Sequence, residues 1–187
     1  MAAAASTRDG MAAFSAGKVE QSIDIFDEII AEKPTAAPYL WQRGLSLYYA
    51  ERFKEGAAQF ATDVSVNPND TEEAIWNFLC VARIDGFDSA RKSMLRVGND
   101  RRAVMGAVLK LFRGDTDETP LLAFASEAKG SGDEFYANLY LGLYREAQGD
   151  KEGARRFLTL ATKSKYGQKA PDYMADLARV HMQRRGW

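Results

Sequence analysis

The sequence predicts an all-α fold: helix pairs stacked into a right-handed α-solenoid and closed by a C-terminal capping helix. Three observations predict it. A spacing of 34 residues relates Gly10 to Gly44, Phe26 to Phe60 and Pro34 to Pro68, and such self-similarity is the mark of repeat architectures. Ala, Leu, Glu, Lys and Arg dominate, while period-2 alternation of β-branched residues is absent. The chain is 46% hydrophobic and 11% aromatic, enough to build a packed core rather than a disordered segment.

The first two units, about 4–34 and 35–68, share the whole pattern. Ser22, Gly56 and Ala90 form a series of small residues at the same spacing, and Phe26, Phe60 and Met94 a series of large ones. A small residue lets the partner helix approach. The large residue four places later on the same face fills the space between them. Pro34 and Pro68 stop the second helix of each pair, because proline lacks an N–H and disfavours helix in the residue before it.

The third unit, about 69–97, opens with Asp70 as cap and Glu73 placed for a capping box. Its first helix runs through Ala74, Ile75, Phe78, Leu79 and Ala82 to a break at Asp85-Gly86, and its partner carries Ala90 and Met94. Phe78 stands where Gly10 and Gly44 stand, so this pair is expected to pack more widely. A degenerate unit follows over about 98–130. It holds a helix around Val104, Val108 and Leu111, then a short one opened by Thr119 and Pro120 and reaching about Lys129. The pattern returns over about 133–166, where Ala154 and Leu158 follow Gly142 by 12 and 16 residues and Gln148-Gly149-Asp150 makes the turn. A last helix, about 170–185, carries Tyr173, Leu177 and Val180 on one stripe and is expected to cap the final unit. The count comes to ten or eleven helices in a single domain spanning 1–187.

Charge narrows the function. Twenty-five basic against 26 acidic residues leave a net charge of -1, without the positive excess of nucleic-acid binders. The apolar runs are broken by charges and fall short of a membrane span. One cysteine, Cys80, and one histidine, His181, exclude an internal disulfide and the Cys/His zinc sites. Met1 to Ala5 carry no basic segment with an apolar stretch, so no secretory leader is expected there. No cofactor is expected.

On these residues the chain resembles the tetratricopeptide repeat family. It departs from the family's consensus aromatic early in the first helix and its tyrosine three residues after the glycine: those places hold Ser6 and Ala13, Leu40 and Leu47, and Asn138 and Arg145. The stretch from Tyr39 through Phe60 and the run Asn67-Pro68-Asn69-Asp70-Thr71-Glu72-Glu73 are similar to plant and algal repeat proteins, which implies a chloroplast setting, with cytoplasm as the alternative. Some family members clamp acidic chaperone tails with Lys, Asn and Arg. The matching positions here, Thr7, Met11, Gln42, Glu72 and Trp76, do not fit that clamp.

In such an array the first helices line the concave face. That places Trp41, Leu45, Tyr48, Trp76, Arg83 and Tyr136 in a partner-binding groove, beside Tyr49, Ile75, Leu79, Leu139, Tyr140 and Leu143. Trp, Tyr and Arg are the types that carry binding hot spots, and packing between repeats is the competing role for the same rings. Other features read as structural. Arg91, Lys92, Arg96, Arg101 and Arg102 form a solvated basic cluster beside Asp100. Asp115-Thr116-Asp117-Glu118 lacks the glycine and late glutamate of a calcium loop and favours the following helix N-terminus instead. His181, with Arg179, Arg184 and Arg185, suits a helix C-terminus. Cys80 suits a buried inert thiol. The expected function is a scaffold or assembly factor holding a partner protein or peptide in the groove. The alternatives are a structural subunit permanently covered in a larger complex or homo-oligomer, and, more remotely, an enzyme.

Overall fold

The computed structural model describes residues 5–98 and 100–187. Met1–Ala4, read above for a leader and for the start of the first unit, lie outside the described residues. Among the described residues every element is helical. Helices α1 (Thr7–Ser15) and α2 (Val19–Glu32) form the first pair, α3 (Trp41–Tyr49) and α4 (Phe53–Val66) the second, α5 (Thr71–Asp85) and α6 (Phe87–Lys92) the third. Helices α7 (Ala103–Arg113) and α8 (Thr119–Glu127) follow, then α9 (Gly132–Ala147) and α10 (Lys151–Lys163), the short α11 (Lys165–Lys169) and the terminal α12 (Tyr173–Arg185).

The 34-residue spacing has a direct steric cause. A Cβ added at Gly10 would meet Phe26 Cζ at 2.7 Å, and one at Gly44 would meet Phe60 Cζ at 2.6 Å. In the last full pair a Cβ at Gly142 would meet Leu158 Cγ at 2.7 Å. In each case the large residue of the second helix, 16 positions after the glycine, reaches the bare backbone of the first with its tip or branch point. The small series works in the same seam. Ser22 Oγ donates to the Gly10 carbonyl at 2.8 Å and meets Ser46 Oγ at 2.9 Å, tying the first pair to the second.

Where the third unit loses its glycine, its second helix shrinks. Phe78 fills the seam itself, edge-on to Phe87 and Phe112 at 5.4 and 5.1 Å. Helix α6 accordingly ends at Lys92, and Met94 lies beyond it in a segment without regular structure. The expected partner helix through Met94 is therefore half absent. Three further differences are local. Pro34 opens a 3-10 helix, Pro34–Tyr39, rather than a simple turn. Helix α11 was unforeseen, and Ser164 caps it by accepting from the Gly167 N–H at 3.0 Å. The capping box at α5 is half made. Asp70 Oδ1 accepts from the N–H groups of Glu72 and Glu73 at 2.9 and 3.4 Å, while the Asp70 N–H goes to the Asn67 carbonyl. Glu73, released from the box, turns into the protein and is buried.

The terminal helix does more than cover the last pair. It packs on α10 and α11 and also on α1, bringing the two ends of the chain together. Ser15 Oγ donates to Asp176 at 2.7 Å, Arg184 pairs with Glu20 at 2.5 Å, and Tyr173 meets Phe14 at 5.4 Å. His181 corrects the sequence expectation. It is not an exposed cation at a helix end but fully buried, with Nδ1 3.0 Å from the Tyr49 hydroxyl. Burial pushes its imidazole down to about 4, so it is neutral at physiological pH.

Candidate functional site

Where α3, α4, α5, α9 and the start of α12 converge, they leave a cavity of about 260 Å³. Its walls are aromatic: Trp41 from α3, Trp76 from α5, Tyr136 from α9 and Tyr173 from α12. Leu45, Phe60 and Met174 supply aliphatic and ring carbon. Four carboxylates complete it, Asp70, Glu72 and Glu73 at the start of α5 and Asp172 before α12.

Each wall is held by a contact behind it. Trp41 stands edge-on to Tyr173 at 5.7 Å. Trp76 stacks on Phe60 at 6.5 Å and meets Tyr48 edge-on at 5.2 Å. The hydroxyls of Tyr136 and Tyr166 both donate to Asp172 Oδ2, at 2.9 and 2.7 Å, while Asp172 Oδ1 accepts from the Met174 N–H at 2.8 Å. Asp172 thus fixes one wall and caps α12 at once. Glu72 accepts from the Tyr140 hydroxyl at 2.8 Å and pairs with Arg102 at 2.9 Å. Arg102 also pairs with Asp100 and lies over the Tyr136 ring, 5.6 Å from its centroid.

Glu73 is the exception. It is only 7% exposed, and its Oε2 has no hydrogen-bond partner. Neither has the indole N–H of Trp76, a side chain only 1% exposed. Burial, followed by the negative charges of Asp70, Asp63 and Glu72, pushes the Glu73 carboxyl up to about 8. Asp63 on α4 is in a similar state: burial pushes it up to about 7, against a hydrogen bond from Gln59, and its Oδ2 is unpartnered. Unmade hydrogen bonds at buried polar groups are costly, and carboxyls perturbed in this way cluster at functional sites.

The six residues predicted from sequence divide four to two. Trp41, Leu45, Trp76 and Tyr136 come together on this cavity. Tyr48 does not reach it. It is 2% exposed and locked among Tyr49, Phe53 and Trp76. Arg83 lies on the outer surface with its guanidinium 4.7 Å from the centre of the Phe53 ring. The reason is distance along the helix, not phase. Residues 48 and 83 each lie seven positions, or about 10 Å, beyond 41 and 76, near the same helical face but past the end of the cavity.

Sequence reasoning missed the carboxylates and the α12 contribution. Asp70 and Glu73 were read as caps, and Tyr173 as part of a capping stripe. The available signal was the redundancy of acids at the α5 start, where Asp70 already caps the helix and leaves Glu72 and Glu73 free for other roles. Among the other expectations, Cys80 is buried and its thiol is pushed up by that burial, as an inert thiol should be. Asp117 accepts from the Thr119 N–H at 2.9 Å, as a helix-start acid should. Arg91 turns inward from the basic cluster, donating to the Leu111 and Phe112 carbonyls, while Arg102 stays exposed and pairs with Glu72 and Asp100. Among the described residues no group of three or more potential ligands could hold a metal ion, and no helix is long and apolar enough to cross a membrane. No protein-family model matches the chain.

Proposed function

We propose that this chain is a tetratricopeptide-like helical-repeat scaffold that holds a partner protein through the aromatic cavity, and that it does no chemistry there. The observation that carries this reading is the convergence of Trp41, Trp76, Tyr136 and Tyr173 on one cavity. Rings held rigidly from behind lose little rotamer freedom on binding and offer large contact areas. At about 260 Å³ the cavity suits one side chain of a partner rather than a whole substrate, since small-molecule pockets run from about 300 Å³ upward. The repeat reading is supported by the three glycine seams and by first helices that supply the walls.

Selection from a displayed peptide library on the wild-type chain, with counter-selection on Trp41→Ala, tests it. Peptides that bind the wild type and are lost on the variant are the expected outcome. Enrichment of no sequence that distinguishes the two proteins would overturn the reading.

A further inference from the structure

Resting on that reading, we infer that the cavity takes a positively charged side chain with an aliphatic stem, a lysine or arginine from a basic segment of the partner. Four carboxylates line the cavity, and the cation closest to them, Arg102, is already committed to Glu72 and Asp100. Three of the four carboxylates are engaged: Asp172 by two tyrosine hydroxyls, Glu72 by Tyr140 and Arg102, Asp70 by two backbone N–H groups. Glu73 retains a buried oxygen with no donor.

An ammonium or guanidinium group supplies that donor and the missing charge together, and indole and phenol faces attract the same cation through their quadrupoles. The stem finds Leu45, Phe60 and Met174. An inorganic cation is the poorer fit, because these carboxylates do not converge into a metal-holding group among the described residues. An acidic side chain would add charge to a site already short of donors.

Binding should also displace a proton. Free Glu73 titrates at about 8, and a bound cation favours its ionised form. Charged and titratable groups face it from every neighbouring element. Asp63 on α4 titrates at about 7. Asp70 and Glu72 lie at the α5 start, Arg102 at the start of α7, Tyr136 and Tyr140 on α9, and Asp172 and Tyr173 at α12. Affinity for a lysine probe therefore rises between pH 6.5 and 8.5, where lysine itself, with a pKa of about 10.4, keeps its charge.

The test uses the whole chain and Nα-acetyl-lysine N-methylamide at constant ionic strength, followed by the indole N–H resonances of Trp41, Trp76 and Trp187. Saturable shifts at Trp41 and Trp76 are expected, with Trp187 as reference. Affinity should rise about tenfold from pH 6.5 to 8.5 and fall at least about tenfold in Glu73→Gln at the higher pH. The arginine analogue should behave alike, and the neutral norleucine analogue should bind at least about tenfold more weakly. Equal or tighter binding of the norleucine probe would overturn the charge inference while leaving the cavity as a partner site. Tighter binding of tetramethylammonium than of the lysine probe would replace the side chain with a free small cation and overturn it as well. Absence of any saturable shift would overturn it too, and the library selection then decides whether the scaffold reading falls with it. Where Glu73→Gln does not fold, the pH series on the wild type decides alone: a flat lysine profile refutes the inference.

Discussion

Gly44→Ala should destabilise a helix that alanine ordinarily favours. In an exposed helix interior this exchange gains up to about 1 kcal/mol. Here the added methyl would stand 2.6 Å from Phe60 Cζ and 2.8 Å from Cε1. The ring cannot swing aside, being 1% exposed and stacked against Trp76. Forcing extra carbon into a filled core costs about 1–3 kcal/mol, which outweighs or cancels the gain. Gly106 provides the control, because it lies inside α7 and a Cβ there would meet nothing within 4 Å. The two variants should differ by about 1–3 kcal/mol in urea unfolding, or several degrees of melting temperature at ~2–4 °C per kcal/mol for a chain of this size. Gly44→Ala combined with Phe60→Leu should recover part of the loss, as expected for residues in direct contact. If Gly44→Ala stabilises the protein as much as Gly106→Ala does, the glycine–phenylalanine seam is not what sets the repeat.

Phe60→Ala removes a ring that fills the α3–α4 seam and one wall of the cavity. It should cost about 3–5 kcal/mol, and a loss below about 1 kcal/mol in the same urea assay would contradict its place in the core. Tyr49→Phe leaves His181 Nδ1 without its 3.0 Å partner and should cost about 1–2 kcal/mol. An unchanged melting temperature would show that α12 is not anchored by that bond. The pH profile follows from the raised carboxyls. Glu73 and Asp63, at about 8 and about 7 when folded, bind more protons in the native than in the unfolded state above their unfolded pKa values. They therefore favour folding at low pH, and the contribution fades as pH rises through 7 and 8. His181, depressed to about 4, acts oppositely but only below about 6.5. Melting temperature should then fall between pH 6.5 and 8.5, and Glu73→Gln with Asp63→Asn should flatten that slope. A melting temperature that rises across the window would refute the assignment.

The parts of the fold legible in the sequence were those fixed by contacts at constant separation. Glycine seams depend on two residues 16 apart, so Gly10, Gly44 and Gly142 announce them and Phe78 announces a departure. The consequence of that departure, a helix α6 too short to carry Met94, depends on how Phe87 and Phe112 pack around Phe78, which no periodicity encodes. The site was half legible for the same reason. Trp41, Leu45 and Trp76 follow from helical phase within a unit. Tyr173, Asp172 and the buried state of His181 depend on α12 docking against distant helices, through contacts such as Ser15 with Asp176 and Tyr49 with His181, each more than 130 positions apart. Glu73 shows a third limit. Its position suits a capping box and a buried wall equally, and only the tertiary fold decides between them.

Under the proposed function the cavity's rings hold a partner rather than merely fill space. The direct measurement is the affinity of a library-selected peptide for wild type, Trp41→Ala and Tyr136→Ala, set beside the melting temperature of each protein. An anchor lost from such a site costs about 2 kcal/mol, roughly a thirtyfold loss of affinity. That loss is expected in both variants, measured on the folded fraction, with melting lowered by only several degrees. Melting that falls while affinity of the folded fraction holds would show that the rings are core and that the partner binds elsewhere.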